Sequence, residues 1–297
     1  MNIVKIYELY PSNDDCIAHI EKVKWGDTPF CPYCKSTKST PMPDQKRHHC
    51  NNCNTSYSVT VGTIFHHTHM PLQKWFLAIS IIINAKKGIS ARQLGRDLNI
   101  NKDTAWRISM KIREAMTQID QRRLLTGIVE ADETYVGGKP RKGGPKNGNG
   151  SGGEKLKRGR GTKKTPVVGL VERNGKIKVK SFHNKPLTSK NLKALIRENI
   201  DIGKSTLFTD EYKGYLGIKH IMPHKTVDHS VWYVDGDIHT NTIESFWALL
   251  KRGIVGQYHK VSIKHLPKYI DEFSYRWNHR KDKPADIFSL TLQRAVR

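Results

Sequence analysis

Residues 128–134 read IVEADET, an apolar run that leads into two acids, and residues 205–211 repeat the pattern as STLFTDE. Short apolar runs that end in polar residues predict buried strands. Buried carboxylates raise one another's pKa, and a hard divalent cation relieves that cost. The two segments therefore indicate a magnesium-type site, against the alternative that the acids are solvated strand ends. Alternation along the strands does not say which acid of each pair belongs to the site.

A third acid, Glu244, lies in the segment NTIESFWALLKR at 241–252. Helical periodicity places Glu244, Ala248 and Lys251 on one face. The other side carries apolar residues: Ile243, Phe246 and Leu250. A carboxylate and a lysine on one stripe can hold a metal ion and a phosphate side by side. Spacing alone equally allows a solvated helix face.

Four of the five cysteines form two C-x-x-C pairs, with fifteen residues between the pairs. Four thiolates close a tetrahedral Zn²⁺ site and leave no open position for catalysis. We therefore expect a structural zinc ribbon whose folding energy comes from the metal, with the ligands Cys31, Cys34, Cys50 and Cys53. The alternative is two reduced pairs without metal. Cys16 is left over and is expected to be a core thiol.

Residues 88–108 read GISARQLGRDLNINKDTAWRI. Ser90 is predicted to cap a helix over 91–98, and a second helix begins near Lys102. This spacing is typical of a helix-turn-helix, whose second helix enters the major groove of DNA. In that orientation four residues become candidate DNA contacts: Lys102, Thr104, Arg107 and Lys111. An ordinary helical hairpin is the alternative.

The charge of the chain is strongly unbalanced. Its 297 residues include 51 Lys and Arg against 27 acids, for a formal net charge of +24. Such an excess favours a polyanionic partner, first of all nucleic acid, because neutralised phosphates release counterions. A ribosome-like or membrane-surface protein is the alternative. The longest uncharged apolar run, 75–85, is too short to span a bilayer, so we expect a cytoplasmic, nucleoid-associated protein without a membrane partner.

Several motifs occur together in one order: an opening helix before CPYC, then CNNC, VEADETYVGGK, a Gly/Lys-rich insertion, TDEYKGY, HTNTIESFWALLKRGIVGQYHKVS and DEFSYRWNHR. Through these motifs the chain resembles the insertion-sequence transposases of the DDE class, in particular the IS1595 family. That family joins an N-terminal zinc ribbon to a ribonuclease-H-like catalytic domain. The resemblance spans nearly the whole chain.

The resemblance implies a multidomain fold: a zinc ribbon, an all-α helix-turn-helix, and an α/β ribonuclease-H-like (retroviral-integrase-like) mixed sheet flanked by helices. We place the N-terminal helix and ribbon at 1–62, the helix-turn-helix at 63–122 and the catalytic domain at 123–297. The segment 139–164 is rich in Gly, Lys and Arg. Because it has little apolar surface to bury, we expect a disordered basic insertion in the sheet.

The resemblance also assigns roles to single residues. It makes three acids the catalytic carboxylates and the ligands of two Mg²⁺ ions, with Mn²⁺ as a substitute: Asp132, Asp210 and Glu244. Lys251 matches a lysine that contacts the DNA end and is counted with the catalytic residues, and the neighbouring Arg252 is a further expected DNA contact. Some relatives carry Asn in place of the third acid, which makes Asn241 the alternate candidate.

The implied function is DNA transposition. The protein would bind transposon inverted-repeat ends, cut them to expose a 3′-hydroxyl, and transfer that strand into target DNA, as a homodimer or a larger synaptic complex. Two alternatives share many of the same features. One is a non-catalytic zinc-ribbon and helix-turn-helix regulator, and the other is a ribonuclease-H-like nuclease or resolvase that hydrolyses DNA without joining it.

Overall fold

The computed structural model describes residues 1–117, 123–137, 164–183, 187–227 and 239–297. The chain divides into two compact units. Met1–Thr117 and His279–Arg297 form the first unit, and Gln118–Asn278 form the second. The predicted basic insertion, except for Lys164, lies outside the described residues.

The first unit begins with two helices and a small antiparallel sheet of order β1-β2-β3: α1 (Ile3–Leu9), α2 (Asn13–Trp25), β1 (Ser39–Met42), β2 (Arg47–Cys50) and β3 (Thr55–Tyr57). A reciprocal cap starts α2. The N–H of Asp15 donates to Ser12 Oγ (3.3 Å), and the N–H of Ser12 donates to Asp15 Oδ2 (2.9 Å). Cys16 on α2 is fully buried, as expected for a core thiol.

Three helices follow the ribbon: α3 (Leu72–Asn84), α4 (Ala91–Asp97) and α5 (Lys102–Met116). The predicted cap of α4 is confirmed, since Ser90 Oγ accepts from the N–H of Gln93 (3.2 Å). Asn101 caps α5 by accepting from the N–H of Asp103 (2.8 Å). Two helices joined by a short turn therefore occupy the region where the helix-turn-helix was predicted.

The second unit contains a five-stranded sheet of order β6-β5-β4-β7-β8: β4 (Leu125–Val136), β5 (Thr165–Glu172), β6 (Ile177–Ser181), β7 (Ile200–Thr209) and β8 (His224–Thr226). Strands β4, β5 and β6 pair antiparallel, whereas β7 is parallel to both β4 and β8. The expected mixed sheet is confirmed.

Helices pack on both faces of this sheet: α6 (Ser189–Asn199), α7 (Asn241–Gly253) and α8 (Leu266–Asn278). Residues of α6 share one apolar core with Val129 and Ala131 of β4. Residues of α7 and α8 share the other core with β5. Side chains alternate along a strand, so Glu130 and Asp132 turn toward the face that carries α7.

The last helix, α9 (Pro284–Ala295), corrects the predicted domain boundaries. It belongs to the first unit rather than to the catalytic domain placed at 123–297. Phe288 on α9 packs edge-to-face against Phe76 of α3, with ring centroids 5.8 Å apart, and the N–H of Ile64 donates to the carbonyl of Ala295 (3.0 Å). The apolar face of α9 is buried against helices that lie far earlier in the chain. Residues 1–117, which were predicted as two domains at 1–62 and 63–122, likewise fall in one unit.

Candidate metal centres and DNA-contact surface

The four paired cysteines meet at one point of the ribbon. One sulfur atom from each lies within 4.8 Å of all the others. The Sγ atoms of Cys31 and Cys53 are 3.7 Å apart, and those of Cys34 and Cys50 are 3.5 Å apart. Tetrahedral Zn²⁺ with bonds of about 2.3 Å separates its sulfur ligands by about 3.8 Å. The donor set and spacing therefore fit the predicted structural zinc.

Two nearby side chains that could compete for the metal, those of His48 and Cys16, have other contacts or are buried away from the cluster. His48 Nε2 lies 3.1 Å from Glu21 Oε1, and its ring stacks on Tyr57 with centroids 5.6 Å apart. Burial, with the negative charge of Asp15, raises the pKa of the Cys16 thiol to about 12. Cys16 is thus a neutral core residue rather than a thiolate ligand.

Two acids predicted from separate strands come together in the middle of the five-stranded sheet, where β7 ends beside β4. Strand β7 ends at Thr209, which pairs with Ala131 of the parallel strand β4. Asp132 is the next residue within β4, and Asp210 is the first residue after β7. The two therefore lie beside each other. Oxygen atoms of Asp132, Asp210 and Glu133 all lie within 4.8 Å of one another.

Hydrogen bonds orient these carboxylates. Asp132 Oδ1 accepts from the N–H of Glu133 (2.7 Å), and Asp132 Oδ2 accepts from the indole Nε1–H of Trp247 on α7 (2.9 Å). Asp210 Oδ1 accepts from the N–H of Tyr212 (3.1 Å). Tyr215 donates its hydroxyl to Glu133 Oε2 (3.4 Å). Burial raises the pKa of Tyr215 well above its ordinary value, so it remains a donor.

The electrostatics of the cluster favour a cation. Burial, together with the negative charges of Glu133 and Asp210, raises the pKa of Asp132 to about 7. Three converging carboxylates are costly when all are ionised, and a divalent ion with hard oxygen ligands removes that repulsion. The residues present fit Mg²⁺ or Mn²⁺ by their chemistry.

A glycine makes room for the Trp247 contact. Gly169 on β5 pairs with Asp132 across the sheet. A Cβ atom at Gly169 would lie 2.9 Å from the Trp247 ring and 2.7 Å from Ile243 Cδ1. The absent side chain therefore lets α7 approach the sheet closely beside Asp132.

The third predicted acid, Glu244, is placed differently. It is exposed on the first turn of α7 and accepts from the Thr240 hydroxyl (3.4 Å). Among the described residues, Glu244 belongs to neither group of potential metal ligands. Glu133 stands with the two aspartates instead. Strand alternation could not reveal this, because adjacent residues on a strand normally point to opposite faces.

The remaining predicted residues of α7 are on its surface. Lys251, Arg252 and Asn241 are exposed, and Arg252 Nε donates to the carbonyl of Ala248 (3.0 Å). Glu244, Ala248 and Lys251 form the exposed stripe that periodicity predicted. The opposite side is fully buried, again as predicted: Ile243, Phe246 and Leu250.

On α5, three of the four predicted DNA contacts are exposed: Lys102, Thr104 and Arg107. The half-buried Lys111 donates its ammonium to the carbonyl of Ile64 (3.0 Å), so it braces the segment before α3. Trp106 lies on the exposed side with 41% of its surface accessible. Large apolar residues on a helix predict burial, so sequence patterning missed this residue.

Two parts of the chain match separate family models. Residues 124–278, just over half of the chain, match the ISXO2-like transposase domain, and residues 11–56 match the transposase zinc-ribbon domain. The chain belongs to the ISXO2-like transposase family. The order of the two matches is the one that the sequence motifs indicated. Within the described part of this transposase, no helix is long and apolar enough to cross a membrane.

A curated relative of the transposase is an uncharacterized protein in transposable element ISH50 of Halobacterium salinarum. The two are 28% identical over 268 residues, which cover 86% of this chain and 88% of the relative. Among solved structures, the Mos1 strand transfer complex matches with 12% identity, covering 74% of this chain and 78% of that chain, at a TM-score of 0.29. The Mos1 mariner paired end complex with Mn matches with 13% identity, 73% and 78% coverage and a TM-score of 0.29. The family assignment rests on the sequence match, since TM-scores this low support no inference.

Proposed function

We propose that this transposase cuts DNA at transposon ends and transfers the resulting 3′-hydroxyl strand into target DNA. The convergence of Asp132 and Asp210 at the carboxyl end of β7, beside β4, is the observation that carries the proposal. Both acids were inferred from separate segments, and the fold supplies a reason for their proximity. Family membership supports transposition as the biological outcome.

Asp132 and Asp210 would hold the divalent ions, with Glu244 as the third acid of the catalytic set. Two Mg²⁺ ions, or Mn²⁺, would activate the attacking oxygen and stabilise the leaving oxygen of an in-line displacement. Trp247 orients Asp132 through its indole N–H. Lys251 and Arg252 are exposed on the helix that carries Glu244, where they would bind DNA phosphates. No side-chain nucleophile is required.

Glu244 can join the site because of its place on α7. It precedes Trp247 by three residues, so the two side chains lie about one turn apart on neighbouring parts of the helix surface. Trp247 contacts Asp132 directly. Metal binding would draw the exposed Glu244 carboxylate toward the aspartates. Asn241, exposed at the start of α7, is the alternate candidate.

A strand-transfer assay tests the proposal. The full chain is mixed with a duplex that carries the inverted repeat bounding its gene, a supercoiled target plasmid and Mg²⁺. We expect plasmid joined to the duplex through a 3′-end. Cleavage without joining would instead indicate a nuclease or resolvase, and binding without cleavage would indicate a regulator. We further propose that a homodimer or larger assembly pairs two ends, which light scattering of the DNA complex measures.

Glu133→Gln is expected to weaken Mn²⁺ binding about tenfold, because the variant removes one charge from the carboxylate cluster while retaining a similar shape. Isothermal titration of the free protein measures this affinity. Glu211→Gln is the matched control, since Glu211 also follows a proposed catalytic aspartate but is exposed. An equal effect of both substitutions would show that general charge, and not the position of Glu133, controls binding.

Arg107→Ala is expected to lower affinity for the inverted repeat by about 10- to 100-fold, the size of a lost base contact. Affinity for unrelated DNA should fall much less. Arg96→Ala removes the same charge from α4, where Arg96 is exposed and donates to Gln93 Oε1. Arg96→Ala should lower the affinity for the inverted repeat and for unrelated DNA by the same factor. Fluorescence anisotropy at two salt concentrations measures both effects, and equal selectivity of the two variants would exclude α5 as the reading helix.

A further inference from the structure

A fully buried glutamate of β4 lies outside the proposed catalytic set. Glu130 has no exposed surface, and it stands two residues before Asp132 on the same side of the strand. Its carboxylate accepts from the backbone N–H groups of Thr242 (2.9 Å) and Ile243 (3.1 Å). The hydroxyl of Thr242 adds a third bond (2.9 Å). These donors belong to the first turn of α7.

A half-buried arginine completes this contact. Arg173 Nε donates to Glu130 Oε1 (3.1 Å), and Arg173 Nη2 donates to the carbonyl of His239 (3.1 Å). The guanidinium lies over the Phe208 ring, 5.2 Å from its centroid. A paired and hydrogen-bonded buried charge is rigidly held, because breaking any one bond leaves a costly unsatisfied group. Arg173 thus ties Glu130 to the residues that lead into α7.

Glu130 accepts hydrogen bonds from the first N–H groups of α7, the role that a side chain at the N-cap position has in most helices. The first N–H groups of a helix need acceptors, and a negative charge there interacts favourably with the helix dipole. Thr240, at the N-cap position of α7, makes no side-chain bond to those N–H groups. The acceptor comes from the sheet instead. The start of α7 is therefore attached to β4 and not merely capped.

The two bonds from β4 set the position of α7 along the strand. Glu130 binds the helix at Ile243, and Asp132 binds it at Trp247. Two residues of a strand span about 6.8 Å, and four residues of a helix span about 6 Å. The two spacings are similar, so side chains two residues apart on the strand can bond α7 at both points. Glu244 follows Ile243 directly.

We propose that Glu130 is a positioning residue, which holds the first turn of α7 so that Glu244 is directed to the Asp132–Asp210 pair. This inference rests on the proposed function, because it concerns the same metal site. Without the Glu130 carboxylate, the first turn of α7 loses these acceptors, and the helix backbone that carries Glu244 is no longer held against β4. Trp247 would then also move relative to Asp132.

The chain offers a closely matched control in Glu172. This glutamate is 8% exposed, and its carboxylate accepts from the N–H and hydroxyl of Thr126 (3.0 Å each), the N–H of Lys176 (3.3 Å) and Arg123 Nη2 (3.1 Å). It therefore has the same kinds of partner as Glu130. Its bonds join β4 to the turn after β5 rather than to α7.

The experiment compares Glu130→Gln and Glu172→Gln in the full chain. Mn²⁺ binding is measured by electron paramagnetic resonance, and the Trp247 indole N–H is followed by ¹⁵N NMR, with Trp247→Phe for assignment. We expect both variants to lower Tm similarly. Only Glu130→Gln should weaken Mn²⁺ binding about tenfold and shift the Trp247 resonance. In the Glu244→Gln background, Glu130→Gln should weaken Mn²⁺ binding little further, since coupled sites are not additive.

Wild-type Mn²⁺ affinity with an unmoved Trp247 resonance in Glu130→Gln would overturn the proposal, as would equal losses in Glu172→Gln or full additivity with Glu244→Gln. If Glu130→Gln does not fold, Thr242→Val removes only the hydroxyl bond. It should weaken Mn²⁺ binding two- to threefold, and an unchanged affinity would again contradict the role. The proposed function fails separately, if Asp132→Asn and Asp210→Asn bind Mn²⁺ like the wild type.

Discussion

Replacing Asp132 or Asp210 with asparagine is expected to lower Mg²⁺-dependent cleavage of an end-bearing duplex by about a thousandfold. Each substitution removes a charged oxygen from the pair of carboxylates that converges where β7 ends beside β4. Metal ions that neutralise developing charge contribute several kcal/mol to such reactions, and about 4 kcal/mol corresponds to a thousandfold in rate. Gel analysis of product formation under single-turnover conditions measures the loss.

The two aspartate variants should lose cleavage activity but not DNA binding. Both variants are expected to bind the inverted-repeat duplex with nearly wild-type affinity, because the surface of α5 is unchanged. Glu198→Gln is a suitable control, since Glu198 is an exposed acid that pairs with Lys180 (3.3 Å). Normal turnover by either aspartate variant would remove that residue from the catalytic set. A matching loss in Glu198→Gln would point to a general effect of charge.

Cys50→Ser is expected to release the zinc ion and unfold the ribbon. Cys50 is fully buried at the end of β2, where its sulfur lies 3.5 Å from that of Cys34. Structural zinc contributes about 10–16 kcal/mol of folding energy in zinc-finger peptides, so a small sheet cannot persist without it. Metal content by atomic emission should fall from about one zinc per chain to near zero. Protease cleavage within residues 11–56 should rise sharply.

Cys16→Ala provides the matched comparison for this variant. Cys16 is as buried as Cys50 but lies in α2, outside the four-sulfur cluster. The alanine variant should keep its zinc and show only the modest loss of stability that follows a shortened core side chain. Zinc loss from Cys16→Ala, or full zinc retention by Cys50→Ser, would contradict the ligand assignment.

Local patterns predicted most of the elements correctly because their causes are local. The Ser90 cap, the start of α5 near Lys102 and the exposed stripe of α7 all depend on residues a few positions apart. The cysteine spacing likewise predicts a cluster, since each pair lies in one short turn. The packing of α9 against the first unit was not predicted, because an apolar helix face does not specify which element it packs against.

The acidic site also combines features that local sequence predicts with features that depend on contacts between distant residues. The sequence by itself determined that acids follow two apolar runs and that Glu244 lies on the polar stripe of an amphipathic helix. Only the tertiary structure decided that Asp132 and Asp210 meet, because the parallel pairing of β4 and β7 joins segments about 80 residues apart. It also placed Glu133 in the cluster and made Glu130 an anchor for α7. Hydrogen bonds between distant elements set these positions, and periodicity carries no information about them.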